Sequence, residues 1–302
     1  KTTYTQMLNQ YGGIEADLSV TCLNENNFMI TTGSAVRYHD KKWIEQNLSS
    51  NSKVELTDIT DNYVVIGIMG PNSRALLSLL SEENFETSSF PFGTGKYIMI
   101  NEEKIWAQRL SYVGELGWEL FIPLEIANKI YKTITQTGKK FDLAHAGTHT
   151  MDILRMEKGY LHWGHDISPE ETPFEVGLNI FVSLKKDYNF NGRKIMEDQA
   201  KNGVNKKLIF LTLEDKCQPG YPLLLHEEPI YMNNKIVGKT SSGQYSFNYN
   251  KSMSMGHIKL DQNFKLKEME NNEFEIEVAK KRYKAHLQLK PLHDPKNILI
   301  KK

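Results

Sequence analysis

The sequence is poor in cysteine and has no excess of charge of either sign. Only Cys22 and Cys217 occur among its 302 residues. Two thiols without CxxC or metal-like spacing exclude a disulfide scaffold and fit a reducing compartment. Cys22 lies in an apolar alternation and reads as a small buried hydrophobe. Lysine and arginine total 37 against 37 acidic residues, for a formal net charge of +0. That balance gives no electrostatic reason to expect nucleic acid or an anionic membrane as partner. No stretch approaches the ~20 apolar residues of a spanning helix, and no signal-peptide pattern opens the chain. The expected location is cytoplasmic, or the mitochondrial matrix in a eukaryote. Also missing are a G-x-G-x-x-G turn, a P-loop, a nucleophile elbow and a catalytic-cysteine arrangement. Gly93-Thr94-Gly95-Lys96 is too short for either glycine-rich loop, so no Rossmann-type site for FAD or NAD is expected on this chain.

What is present is a chain long enough for two or three compact units. It begins with Lys1, not Met, and enters directly on a strand-like run over 4–8. From Ile14 to Cys22, Ile14, Ala16, Leu18, Val20 and Cys22 fall on one face, and Glu15, Asp17, Ser19 and Thr21 on the other. That period of two predicts a half-buried strand entered through a Gly12-Gly13 turn. A strand over 27–32 and a helix with Trp43, Ile44 and Leu48 in the core follow. Tyr63–Met69 reads as a buried strand. Gly70-Pro71 then opens a helix striped by Leu76, Leu77 and Leu80, since proline suits a first turn. Strands are expected over 96–100, 105–111 and 117–122. Helices follow over 124–137, stopped by Gly138, and over 148–158, stopped by Gly159. Beyond Gly203 the texture changes to short strands over 207–213, 235–240, 252–260, 273–279 and 282–289. Consecutive strands with no helix between them predict a small β-barrel or sandwich. The fold class is therefore mixed α+β to about residue 200 and all-β after it.

Three groups stand out from the solvated charges. Asp17 interrupts a strand, where acidic residues are depleted, so it faces either open solvent or a site. Glu119 sits between Trp118 and Leu120, and a carboxylate hemmed in this way is costly unless paired. A planar partner with two adjacent N–H donors would satisfy it: an arginine, or the aminopyrimidine edge of a pterin. Asp152 and Arg155 lie three apart on one helix and could be an ordinary surface pair. His162 and His165 carry only a weak metal signal, and Trp163 more often packs in a core than stacks on a ligand.

Taken together, these runs resemble the aminomethyltransferase family, typified by the glycine cleavage T-protein. The matching pieces are Gly12-Gly13-Ile14 with Asp17-Leu18, Gly67 through Pro71, Tyr112 through Glu119, Leu154-Arg155-Met156-Glu157, and Gly164 with Asp166. Pro173, Glu175, Gly177-Leu178, Phe190-Asn191-Gly192, Thr240 through Gly243 and Ser254-Met255-Gly256 continue the match. Within the family the details lean toward the C-terminal folate-binding portion of dimethylglycine and sarcosine dehydrogenases. Stand-alone T-proteins usually carry Asn where this chain has Gly33, and a second Asp where it has Ala16. The implied fold is an α+β folate-binding region of two modules over 1–200, followed by a small antiparallel β-barrel over 201–302. The family also carries a further strand–helix segment before Tyr4. The chain is therefore expected to be a truncated piece of a flavoprotein, or a part completed by another chain.

The resemblance implies tetrahydrofolate as cofactor, with FAD only on a missing or separate N-terminal portion. Asp17 would act at the reacting folate nitrogens, and Glu119 would bind the pterin's aminopyrimidine edge. Tyr4 and Tyr112 would pack on or bond to the pterin, with Arg155 close to the folate. Leu18, Ser19, Leu120 and Ile180 would line the cavity, and Trp163 would form a stacking wall. The implied reaction forms 5,10-methylenetetrahydrofolate from a one-carbon unit released by a methylated amine. Its partners would be the folate, that unit and a flavoprotein domain or chain. Two alternatives remain: a free-standing aminomethyltransferase served by a lipoyl carrier protein, and a non-enzymatic folate-binding protein.

Overall fold

The computed structural model describes residues 1–214 and 219–302; Cys217 lies outside the described residues. The chain divides into two compact units, one of residues 1–4, 18–148 and 296–302, the other of residues 5–17 and 149–295. A first sheet has the order β1-β2-β3, from β1 (Thr2–Leu8), β2 (Ile14–Cys22) and β3 (Phe28–Thr31).

The first unit continues with α1 (Arg37–Asn47), β4 (Tyr63–Met69), α2 (Ser73–Leu80), β5 (Gly95–Ile100), β6 (Glu103–Gln108), β7 (Gly117–Pro123) and α3 (Ala127–Gly138). Its antiparallel sheet has the order β4-β7-β6-β5. One face of that sheet packs Ile98, Ile100, Ile105, Trp118, Leu120 and Ile122 against Leu76 and Leu77 of α2 and Ile130 and Ile134 of α3. Beside that core, Arg109 is fully buried over the Trp118 ring and donates to the carbonyls of Phe90 at 2.7 Å and Lys302 at 2.6 Å.

The second unit holds α4 (Thr148–Glu157), α5 (Arg193–Asn202) and six strands. They are β8 (Lys206–Leu213), β9 (Pro229–Met232), β10 (Lys235–Ser246), β11 (Lys251–Lys259), β12 (Phe274–Val278) and β13 (Lys281–Gln288). These close into an antiparallel barrel in the order β10-β11-β8-β13-β12-β9. Ile209, Leu211, Ile230, Ile258, Phe274 and Ile276 fill its core. Among the described residues no helix is long and apolar enough to cross a membrane.

Several sequence expectations are corrected. Cys22 is exposed, while Thr21, assigned to the polar face, is fully buried. The burial phase of β2 changes near Val20 because the Thr21 hydroxyl hydrogen-bonds to that of Thr2 at 2.9 Å and donates to Gln108 Oε1 at 3.0 Å. The β4 strand is not buried throughout. It is a sheet edge, and Tyr63 and Val65 on its outer face are exposed. In α1, Trp43, Ile44 and Leu48 are half-buried, and the buried residue is Asp40, held by Thr32 and His39. Gly138 does not stop its helix through a left-handed turn; its φ is −62°, and the left-handed residue is Asp142. Gly138 is needed for space, since a Cβ there would lie 2.4 Å from Leu143 Cδ1. Gly159, with φ +74°, does adopt the expected helix-ending conformation. The short strand β9 and the helix α5 escaped the sequence reading, and β10 runs beyond its expected end.

Candidate functional site

The strand that carries Asp17 is set by the turn before it. Asn9 Oδ1 accepts from the backbone N–H groups of Tyr11 and Gly13, each at 2.9 Å. Its Nδ2 donates to Glu15 at 2.9 Å and to the Pro169 carbonyl at 3.2 Å. Only glycine fits at position 13, because a Cβ would lie 1.7 Å from the Pro169 carbonyl oxygen. With the turn fixed, Ile14, Ala16 and Leu18 are buried and Asp17 is half-buried. Gln6 Nε2 on β1 donates to Asp17 Oδ1 at 2.8 Å, which orients the carboxylate. The Trp163 indole N–H donates to the Ile14 carbonyl at 2.9 Å, and its ring packs beside Leu8, Ile14 and Ile167. Trp163 therefore braces the Asp17 strand as a packing residue.

Arg155 is neither a surface ion pair nor a free cation. It is buried to 1% exposure. Its Nε donates to Asp152 at 2.7 Å, its Nη1 to Asp166 at 2.5 Å and the Tyr160 carbonyl at 3.0 Å, and its Nη2 to Ser242 at 2.8 Å. Asp166, fully buried, also accepts from Ser241 Oγ at 2.5 Å and the His162 backbone N–H at 3.0 Å. Successive residues of a regular strand point to opposite faces, yet Ser241 and Ser242 both reach this ion pair. The register shift in β10 between Thr240 and Ser242 allows it. The Asp166 carbonyl in turn accepts from His257 Nε2 at 2.8 Å, so that nitrogen must carry the proton. Burial holds the His257 pKa below the ordinary histidine range. The guanidinium is thus largely occupied by protein groups. Sequence reading missed Asp166 as the hub because its partners lie 11 and 75 residues away.

Glu119 presents the opposite case. It is half-buried on β7, and no hydrogen bond or ion pair to another described residue satisfies its carboxyl group. Desolvation pushes its pKa up to about 7 from the ordinary 4.5. It faces away from the core that takes Trp118 and Leu120, in register with Gly67 on β4 and Gln108 on β6. Leu120, expected to line a cavity, is fully buried in that core, because consecutive strand residues alternate faces. Leu18 is buried, and Ser19, Tyr4 and Tyr112 are half-buried. Ile180, also expected to line the cavity, is 79% exposed on a short 3-10 turn. The two units divide the candidate residues: Tyr4, Leu18, Ser19, Tyr112, Glu119 and Leu120 belong to one, Asp17, Arg155, Trp163 and Ile180 to the other.

His162 and His165 stack with ring centroids 4.5 Å apart, and burial is the main cause that lowers the His162 pKa. Among the described residues no group of His, Cys, Asp or Glu is arranged to hold a metal ion.

An α+β unit with a desolvated acid on its sheet, and a closed barrel, define a class that comparison with known proteins makes specific. Residues 1–186 match the GCVT N-terminal domain and residues 206–294 the glycine cleavage T-protein C-terminal barrel domain. The chain belongs to the GCVT aminomethyltransferase family, a family of folate-dependent enzymes. It is 32% identical to human dimethylglycine dehydrogenase over 293 residues, 96% of this chain and 33% of that protein. Its identity to human sarcosine dehydrogenase is 33%, over 99% of this chain and 34% of the relative. The chain thus spans about a third of the length of these dehydrogenases. An aminomethyltransferase of Halothermothrix orenii is 30% identical over 85% of this chain and 70% of its own. The crystal structure of glycine cleavage system aminomethyltransferase T from Bartonella henselae shares the fold, with a TM-score of 0.83 at 20% identity over 98% of this chain and 76% of its own.

Proposed function

We propose that this chain is the tetrahydrofolate-binding, one-carbon-transfer part of a dimethylglycine or sarcosine dehydrogenase-like protein. Its reaction would form 5,10-methylenetetrahydrofolate from the one-carbon unit of a demethylated amine. The observation that carries the reading is Glu119, a half-buried carboxyl group with no partner among the described residues and a pKa pushed up to about 7. Such a group fits a ligand that offers two adjacent N–H donors, as the aminopyrimidine edge of a pterin does.

Bound tetrahydrofolate supplies the two nitrogens that take up the one-carbon unit. Glu119 holds the pterin edge, and Tyr4 and Tyr112 pack on or bond to the ring. Asp17, oriented by Gln6, is assigned the catalytic role. Its carboxylate stabilises positive charge developing on the transferred carbon and holds the proton of the neighbouring nitrogen. Arg155 is a positioning residue, which fixes α4 and the loop through Asp166 rather than touching the ligand. Oxidation of the amine is assigned to FAD on a flavoprotein domain or chain outside residues 1–302.

A second reading is a free-standing aminomethyltransferase, favoured by the Halothermothrix orenii relative, of which this chain covers 70%. Ammonia release from a glycine-loaded lipoyl carrier protein would select it over the dehydrogenase reading. Isothermal titration with tetrahydrofolate tests the shared core of both, and absence of binding refutes it. Asp17→Asn should leave that binding within a few-fold of wild type. It should cut methylene transfer by about 10²–10³-fold, the scale of losing one electrostatic stabilising group. An unchanged transfer rate in the variant removes Asp17 from the mechanism.

A further inference from the structure

Gln108 is the register partner of Glu119 across β6 and β7. Register partners on antiparallel strands project to the same face with Cβ atoms about 5 Å apart. Gly67 continues the row on the other side of Glu119. A Cβ there would meet only the flexible Met69 side chain, with Cε at 3.3 Å, so that end of the row is open.

Gln108 itself is fully buried. Its Oε1 accepts from Thr21 Oγ1 at 3.0 Å and from Trp106 Nε1 at 3.3 Å. An indole N–H can only donate, so the atom facing Trp106 is the amide oxygen and Nε2 is the atom left over. Nε2 has no hydrogen-bond partner among the described residues. Most buried side-chain donors have a partner in protein or ordered water, so this one calls for an acceptor from outside the described residues. Among the described residues the row therefore presents an unpaired donor at Gln108 and then an unpaired acid at Glu119.

A complementary molecule must present one acceptor followed by two donors along a flat edge. A 2-amino-4-oxopyrimidine does so with its ring carbonyl, its ring N–H and its exocyclic amine. We infer that Gln108 is a specificity-determining residue, whose Nε2 donates to the ring carbonyl of a 2-amino-4-oxopyrimidine while Glu119 accepts from the adjacent N–H groups. The inference rests on the folate reading and adds a selectivity that reading does not contain. A 2,4-diaminopyrimidine carries an amine where the carbonyl stood, which sets donor against donor at Gln108. Because Nε2 is shielded from water, that mismatch has no solvent to relieve it. The neutral diamino ring also lacks the N–H that Glu119 accepts, so the part of the preference due to Gln108 is read from the Gln108 variant and not from wild type alone.

The test is equilibrium binding by titration calorimetry of 5-formyltetrahydrofolate and of its 2,4-diamino analogue. The proteins are wild type, Gln108→Leu, Thr21→Val and Glu119→Gln, each checked for cooperative unfolding. Wild type should prefer the 4-oxo ring. Gln108→Leu should weaken it about tenfold, the value of one hydrogen bond in a dry site, and leave the diamino ring bound as tightly as in wild type or more tightly, because the donor–donor mismatch is gone. Thr21→Val removes a support of Oε1 but not Nε2, and should keep the wild-type preference. If Gln108→Leu weakens both rings equally, or Thr21→Val erases the preference as well, Gln108 is only a strut for its neighbours and the inference fails alone. If wild type binds neither ring, or Glu119→Gln binds as wild type does, the folate reading fails and the inference with it.

Discussion

Replacing Glu119 by glutamine should make the protein more stable at neutral pH. The ordinary carboxyl pKa of 4.5 is raised to about 7 in the fold, by desolvation alone. The folded state therefore keeps its proton to a higher pH than the unfolded chain does. Below about pH 4.5 both states hold the proton and burial carries no penalty. As pH rises from about 4.5 to about 7, the unfolded chain ionises first and the fold loses stability; above about 7 the loss is complete and constant. The shift corresponds to at most about 3 kcal/mol at ~1.36 kcal/mol per pH unit. Partial exposure of the side chain reduces that to about 1–2 kcal/mol. Glutamine keeps the shape and cannot ionise, so its advantage over wild type should be absent below about pH 4.5, grow across this window and persist above it. Urea unfolding of both proteins at pH 5 and pH 8, read by circular dichroism with m-values compared, measures it. Parallel pH dependences in the two proteins would falsify the claim that Glu119 is a desolvated acid without a partner among the described residues.

The same proton should govern ligand binding. If folate's paired N–H groups bind the ionised carboxylate, affinity should tighten about tenfold between pH 5.5 and 6.5 and level off above about 7, as measured by calorimetry across that range. Substituting Arg155 with methionine strands the fully buried Asp166 carboxylate and should cost about 3–5 kcal/mol in chemical denaturation; a loss below about 1 kcal/mol would show that the network is dispensable. Gly13→Ala forces a methyl group into the Pro169 carbonyl 1.7 Å away and should lower stability by about 3 kcal/mol or more. An unaltered midpoint would mean that the 9–13 turn does not fix the Asp17 strand.

Local periodicity made much of the fold legible. Alternation marked Ile14, Ala16 and Leu18 as the inner face of β2, and the alternation of Phe274 and Ile276 with glutamates marked β12. Glycine at 159 ended α4 where the pattern stopped. Features decided by distant partners were not legible. Thr21 is buried because it bonds to Gln108, 87 residues on, and no local pattern contains that fact. Likewise β4 has a strand's composition, but its place at the sheet edge depends on which strands pair with it. At the candidate site, Glu119 could be picked out from its apolar neighbours alone. Arg155 could not be read correctly, because Asp152 was the only partner in view and the stronger grip on it comes from Asp166 and Ser242. Gln108 gave no signal at all, since its meaning lies in one unpaired nitrogen and in its register with Glu119.

The bond from the Trp163 indole to the Ile14 carbonyl makes the protein its own spectrometer. Only four tryptophans are present, few enough for fluorine-labelled indoles to give separable resonances. The resonance of Trp163 is tied through one hydrogen bond to the backbone three residues before Asp17. Any shift of that strand on ligand binding or during turnover becomes visible at the Trp163 ring, with the carboxylate left as it is.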